Sequence, residues 1–131
     1  MVYISPHGSH VVQKQIDSQS SVVCVSFDTR LRFLANTPRR AWVSPEAKRL
    51  HGVEDIYEIR FKAEKHQFRP LGFFGPNASE FTILIWTAKK EKIYEPANAI
   101  EAADARRKQI ISGKARCVPL KIDGEEFPAS Q

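Results

Sequence analysis

Three apolar segments in the middle third of the chain constrain the fold more than any other feature. In IYEIRFK (56–62), Tyr57, Ile59 and Phe61 alternate with charged residues, which is the period of a half-buried strand. The segments FRPLGFF (68–74) and FTILIWT (81–87) follow, after the turn-like sequences AEKHQ and GPNAS. Because links this short favour antiparallel neighbours, the three segments predict a meander, with the wholly apolar third segment as its central strand.

Helical patterns flank the meander on both sides. Three- and four-residue apolar spacings predict helices over about 7–18 and over 22–36, although VVCVSF alone is typical of a strand. Residues 38–54 hold two prolines and a basic pair and are predicted to be an irregular linker. Pro96 is well placed to open a third helix that runs to about Ile111, with Gly113 beyond its end.

This order predicts one α+β domain over residues 1–131. We expect a small antiparallel sheet of three to four strands, packed against two N-terminal helices and one C-terminal helix. Residues 118–122 fit a short last strand, and residues 1–6 and 123–131 are expected to be loose.

Charge and composition narrow the classes of function. The 131 residues carry 20 Lys and Arg against 15 Asp and Glu, so the formal charge of +5 favours a polyanionic partner without choosing its kind. No apolar run is long enough to span a membrane and no signal peptide is evident, so we expect a cytoplasmic protein. Cys24 and Cys117 lie far apart and outside any metal-binding spacing, and nucleotide-binding and zinc-protease motifs are lacking. We therefore expect no metal, no cofactor and no small-molecule ligand.

Cations concentrate on the predicted strands. Seven Lys and Arg lie between residues 56 and 92, against four acids. If the strands pair in order, Arg60 and Lys62 converge with Arg69 and with the Lys89–Lys92 cluster, an arrangement suited to phosphate. Tyr94 follows the third strand, where its hydroxyl would face this cluster. A solvated basic face that only keeps the protein soluble is the alternative reading of these charges.

Residues 50–109 resemble the RelE/ParE toxin superfamily, most closely its HigB-like, phage-derived branch. The resemblance rests on the order of several motifs: Leu50-His51-Gly52, the strand IYEIRFK, Phe68-Arg69, the strand FTILIWT followed by AKKEKIYEP, and the helix AIEAADARRKQI. Pro70 after Arg69 departs from the pattern and is expected to bend or bulge the second strand. The Trp86-Thr87-Ala88 end of the third strand departs as well.

The resemblance implies a toxin of a two-gene toxin–antitoxin module that cuts mRNA on the ribosome without a metal. The partners that it implies are an antitoxin protein, the ribosome and mRNA. By position it implies catalytic roles for Arg60, Arg69 and Lys90. Substrate binding is assigned to Lys62, Lys89, Lys92 and Tyr94, and the acid and base remain open among Glu58, His66 and Tyr94. Two alternatives stay open: a ParE-like toxin or phage accessory protein that binds another target without chemistry, and a plain basic RNA-binding domain.

Overall fold

A computed structural model describes residues 1–127, which form three helices and twelve strands. In chain order the elements are β1 (Val2–Ile4), α1 (Val11–Asp17), α2 (Ser21–Ala35), β2 (Ala47–Arg49), β3 (Tyr57–Ile59), β4 (Phe61–Ala63), β5 (His66–Phe68), β6 (Leu71–Phe74), β7 (Phe81–Ile85), β8 (Ala88–Lys90), β9 (Ile93–Glu95), α3 (Ala99–Ile111), β10 (Arg116–Val118), β11 (Leu120–Ile122) and β12 (Glu125–Phe127). A single turn of 3₁₀ helix covers Arg39–Ala41. No helix in this part of the chain is long and apolar enough to cross a membrane.

The strands form three sheets, and the predicted single sheet of three to four strands is wrong. A six-stranded sheet has the order β10-β1-β7-β6-β3-β2, a four-stranded sheet has the order β4-β5-β8-β9, and β11 pairs with β12 alone. The pairing of β1 with β7 is parallel, so the six-stranded sheet is not purely antiparallel either. Most of the strands that the prediction missed are three residues long, too short to show a two-residue period.

The N-terminal strand departs most clearly from expectation. Residues 1–6 were expected to be loose, yet Val2 and Ile4 are fully buried and Tyr3 is 3% exposed. The strand lies between β7 and β10, and the Tyr3 hydroxyl bonds the Gln109 side chain of α3. At the other end of the chain, residues 125–127 pair with β11 rather than being loose. The rest of that predicted loose end, residues 128–131, lies outside the described residues.

The three predicted meander strands exist, but each is broken once at a similar level. The first is interrupted at Arg60, the second at Arg69-Pro70 and the third at Trp86-Thr87. On one side of these breaks the strands belong to the six-stranded sheet, and on the other side to the four-stranded sheet. We call this line of breaks the crease. Backbone hydrogen bonds cross it, from the Ile59 amide to the Pro70 carbonyl (2.9 Å) and from the Arg69 amide to the Thr87 carbonyl (2.8 Å).

Pro70 accounts for the break in the second strand. Proline has no amide hydrogen to donate to a ladder, and the pairing of β6 with β7 also shifts register between Leu71 and Gly72. Gly72 is required here, because a Cβ atom would lie 2.4 Å from the Thr82 carbonyl oxygen. The bend or bulge expected after Pro70 is present as this shift in register.

The helices form close to where the sequence predicted them. The Ser20 hydroxyl accepts a hydrogen bond from the Val23 amide and caps α2, which confirms a helix over residues 22–36. Its Phe27 ring stacks on Phe61 of β4, with the ring centroids 5.6 Å apart. The third helix begins at Ala99 rather than at Pro96, and Gly113 follows its end with a φ of +79°.

Candidate functional site

The Glu58 carboxylate lies at the crease and is fully buried among basic side chains. Its Oε1 atom is 2.6 Å from Arg60 Nε and 3.7 Å from Arg69 Nε, and its Oε2 atom is 4.0 Å from Lys89 Nζ. The Tyr94 hydroxyl donates a hydrogen bond to the same Oε2 atom. We call Glu58, Arg60, Arg69, Lys89 and Tyr94 the crease cluster.

Strand register explains how residues from four strand segments reach one place. In the four-stranded sheet Lys62 is paired with Gln67, Gln67 with Lys89, and Lys89 with Tyr94. Directly paired residues lie on the same face of a sheet, so these four side chains form a row with about 4.8 Å between strands. Side-chain alternation puts Phe61 on the other face, and Phe61 is the ring that α2 covers. The crease cluster therefore lies on the face turned away from α2.

Arg69 is the most enclosed cation of the cluster. Its side chain is 12% exposed, and its guanidinium donates to the Phe68 carbonyl (2.8 Å) and to Gln67 Oε1 (2.9 Å). Burial lowers the pKa of Arg69, while the nearby Glu58 charge acts in the opposite direction. Arginine stays protonated under such a shift, so Arg69 is a fixed positive charge whose fork already has protein partners.

Arg60 and Lys89 are more open to solvent. Both side chains are 24% exposed. Arg60 donates to the Ser44 hydroxyl (3.0 Å) as well as to Glu58, so its orientation is set from two sides. The Lys89 ammonium lies 4.7 Å from the centre of the Tyr94 ring, at cation–π distance. These two groups are the ones that an incoming anion can reach.

Tyr94 is held in its protonated form. Its pKa is raised above the ordinary tyrosine value, first by burial and then by the hydrogen bond and the negative charge of Glu58. The phenol is partly buried and belongs to β9, a strand that the sequence did not predict. The phenol is therefore the hydrogen-bond donor to Glu58 within the cluster.

The remaining predicted site residues are placed differently. Lys62 is exposed at the far end of the cross-strand row. Lys90 follows Lys89 directly, so strand alternation turns it to the opposite face, and it is exposed. Lys92 lies in the turn between β8 and β9, and His66 is exposed on β5. The structure thus joins Arg60, Arg69, Lys89 and Tyr94, and it does not join Lys90, Lys92 or His66 to them.

The cluster has more positive than negative charge. Three cations surround one carboxylate, and no other acid forms an ion pair with them within residues 1–127. Glu58 has both oxygens engaged and no contact with solvent, so it is a positioning group for the cations rather than a free base. An arrangement of this kind suits an anion that carries its charge over several oxygens, such as a phosphodiester.

Sequence reasoning missed two features of the site. Glu58 was considered as a candidate acid or base, whereas it contacts three cations. Gln67 was not considered, although it lies between Lys62 and Lys89 in the row and holds Arg69. The two-residue period that links Gln67 with Arg69 was a usable signal for it.

Comparison of this chain with protein-family models, with curated proteins and with solved structures finds no match. Within residues 1–127, no group of three or more His, Cys, Asp or Glu side chains is arranged to hold a metal ion.

Proposed function

We propose that the chain is the toxin of a two-gene toxin–antitoxin module and cleaves mRNA on the ribosome, without a metal, at the crease cluster. The observation that carries this proposal is the set of three cations gathered around the buried Glu58, with the protonated Tyr94 beside them. The resemblance of residues 50–109 to HigB-like toxins supports the same reaction. The proposal places the protein in the cytoplasm, with an antitoxin, the ribosome and mRNA as its partners.

The chemistry follows from what each side chain offers. In RNA cleavage by the neighbouring 2′-hydroxyl, the 2′-oxygen loses its proton to water and bonds to phosphorus while the bond from phosphorus to the 5′-oxygen breaks. Negative charge grows on the phosphate oxygens as this happens. Arg60 and Lys89 are open enough to contact those oxygens, while Arg69 contributes a fixed charge behind them. Tyr94 is the acid for the departing 5′-oxygen, because its phenol is the O–H group that lies beside the cations in the cluster.

Adjacent lysines provide a matched test of the site. Lys89 belongs to the crease cluster, whereas Lys90 has the same charge on the other face of the same strand. Induced expression with mapping of mRNA 5′ ends measures cleavage directly. We expect Lys89→Ala to lower cleavage by about 10²–10³, the usual effect of losing one preorganised charge stabiliser. We expect Lys90→Ala to cleave at close to the wild-type level.

Two results would count against this proposal. Equal losses in the two variants would indicate a diffuse basic surface rather than a site. Growth arrest without new mRNA ends would indicate a toxin that acts without cleavage.

A second candidate, a ParE-like toxin that inhibits a protein target such as DNA gyrase, is favoured by a different feature. A cavity of about 580 Å³ is lined by the rings of Trp42, Phe74 and Phe81, with Arg39 and Glu80 at its polar parts. Arg39 lies 4.5 Å from the centre of the Phe74 ring and pairs with Asp55 at 3.1 Å. Aromatic residues and arginine are common anchors in protein interfaces. Inhibition of gyrase supercoiling by the purified chain, without RNA cleavage, would favour this candidate.

A further inference from the structure

The outer face of α2 exposes apolar side chains to solvent, in addition to the apolar side chains that its inner face buries in the core. Val22 is 53% exposed and Val25 is 59% exposed, three residues further along. Residues at this spacing are neighbours on one side of a helix. Phe33, 48% exposed, continues the apolar surface toward the end of α2.

Acidic residues border this apolar surface. A cavity of about 160 Å³ separates α2 from the β11–β12 hairpin and is lined by Val25, Asp28, Asp123, Glu125 and Glu126. Arg32 also lines the cavity and pairs with Asp28 at 2.9 Å, and Lys121 is the cross-strand neighbour of Glu126. Four carboxylates against two cations give this face a negative charge on a chain whose net charge is +5.

Negative charges near this face also affect the pKa of a cysteine inside the fold. Burial raises the pKa of the Cys24 thiol, and the charges of Asp123 and Asp17 raise it further.

The cavity between α2 and the hairpin is smaller than the roughly 300 Å³ at which small-molecule sites begin, so it admits a side chain rather than a bound metabolite.

We propose that Val22, Val25 and Asp28 of α2, together with Asp123, Glu125 and Glu126 of the hairpin, form a docking surface for a basic amphipathic segment of a partner protein. The partner buries its apolar side chains on the two valines. Its lysines or arginines pair with the carboxylates of the hairpin. Opposite charges of this kind guide association and select the partner.

This surface is separate from the crease cluster. Phe27 of α2 packs on Phe61, whereas the side chains of the crease cluster lie on the other face of the strands. A segment bound to α2 and the hairpin therefore leaves the cluster uncovered. The docking proposal does not depend on the proposed RNA cleavage.

A fluorescent synthetic helix tests the proposal on the full chain. The probe has leucine at every third or fourth position and lysine elsewhere, and a matched peptide has glutamate in place of lysine. Fluorescence anisotropy is expected to show that the lysine peptide binds, that salt weakens the binding, and that the glutamate peptide does not bind. Absence of binding by the lysine peptide, or equal binding of the two peptides, would overturn the proposal.

Variants locate the binding. Val25→Lys is expected to weaken binding of the lysine peptide by about tenfold or more, because it replaces an apolar contact by a like charge. Ile111→Lys, the same change at a 60% exposed site on α3, is the matched control and is expected to have no effect. The substitutions Glu125→Lys and Glu126→Lys test the contribution of the hairpin carboxylates to peptide binding, independently of the valines. An equal loss of binding in Ile111→Lys would overturn the proposal and indicate non-specific attraction. A dimer of the free chain that Val25→Lys dissociates would also overturn it, because the surface would then bind a second copy of this chain.

Discussion

Tyr94 and Glu58 are joined by a hydrogen bond across 36 positions of sequence, and this bond ties β9 to β3. The bond does two things at once. It occupies an oxygen of a carboxylate that has no access to water, and it keeps the phenol protonated in the middle of three cations. The crease cluster is therefore a network, in which the effect of a substitution depends on the hydrogen bonds and ion pairs that the neighbouring residues lose with it.

Glu58→Gln is expected to destabilise the fold by about 3 kcal/mol, because it removes the counter-charge of Arg60, Arg69 and Lys89 while keeping the shape of the side chain. Urea unfolding followed by circular dichroism measures the change. Glu54→Gln is the control, since Glu54 is 78% exposed and its one ion pair within residues 1–127 is with Arg107 at 3.7 Å. A Glu58→Gln protein as stable as the wild type would show that the cations do not need the carboxylate.

Arg69→Ala is expected to lower the free energy of unfolding by about 2 kcal/mol, since it leaves the Phe68 carbonyl short of a donor and removes one of the cations that surround the buried Glu58. Lys62→Ala, at an exposed position on β4, is expected to change it by less than about 0.5 kcal/mol. The same denaturation measurement compares the two variants. Equal stability of the Arg69→Ala and Lys62→Ala proteins would show that the hydrogen bonds of Arg69 do not stabilise the fold.

Tyr94 is expected to make the stability of the fold fall at alkaline pH. Its pKa is raised in the folded protein, so the neutral phenol favours the fold fully below the ordinary tyrosine value of about 10. That contribution is lost as the pH rises from about 10 toward the folded pKa. The difference in free energy of unfolding between wild type and Tyr94→Phe, measured at several pH values, isolates this group. A difference that stays constant above pH 10 would contradict the raised pKa.

Ser20→Ala is expected to destabilise the protein by about 1 kcal/mol, because the Ser20 hydroxyl caps α2 by accepting from the Val23 amide. The same hydroxyl donates to Glu64 at 2.7 Å, which links the helix to the turn between β4 and β5. Ser21→Ala changes the same residue type one position later, inside the helix, and is expected to have little effect. Thermal unfolding of the two variants is the measurement, and similar midpoints would show that the cap contributes nothing.

The parts of the fold that could be predicted are those with a sustained period. The apolar spacing of residues 22–36 was long enough to outweigh the strand-like start of that segment, and α2 is present there. The alternation of Tyr57, Ile59 and Phe61 correctly placed all three in the core. A strand such as β1, with three consecutive buried residues, carries no such pattern, and the sheet around it could not be foreseen.

The burial of Glu58 shows what a local pattern leaves out. Alternation places Glu58 on the face opposite Tyr57 and Ile59, and such a face is normally in contact with water. Here that face is closed by Arg69 and by Tyr94 of β9, which come from distant parts of the chain. The cations of the cluster were named from their positions in the strands, but the carboxylate that gathers them became evident only from the tertiary contacts.

The position of β1 has a consequence for the order in which this chain acquires its structure during synthesis. Val2 pairs with Ile83 on one side and with Val118 on the other, so β1 waits for partners that are synthesised much later. Glu58, Lys89 and Tyr94 lie within a shorter stretch and need no residue beyond β9 to meet. Because distant pairings form slowly, we expect the charged cluster to assemble while the six-stranded sheet is still open and to become rigid only when β10 pairs with β1.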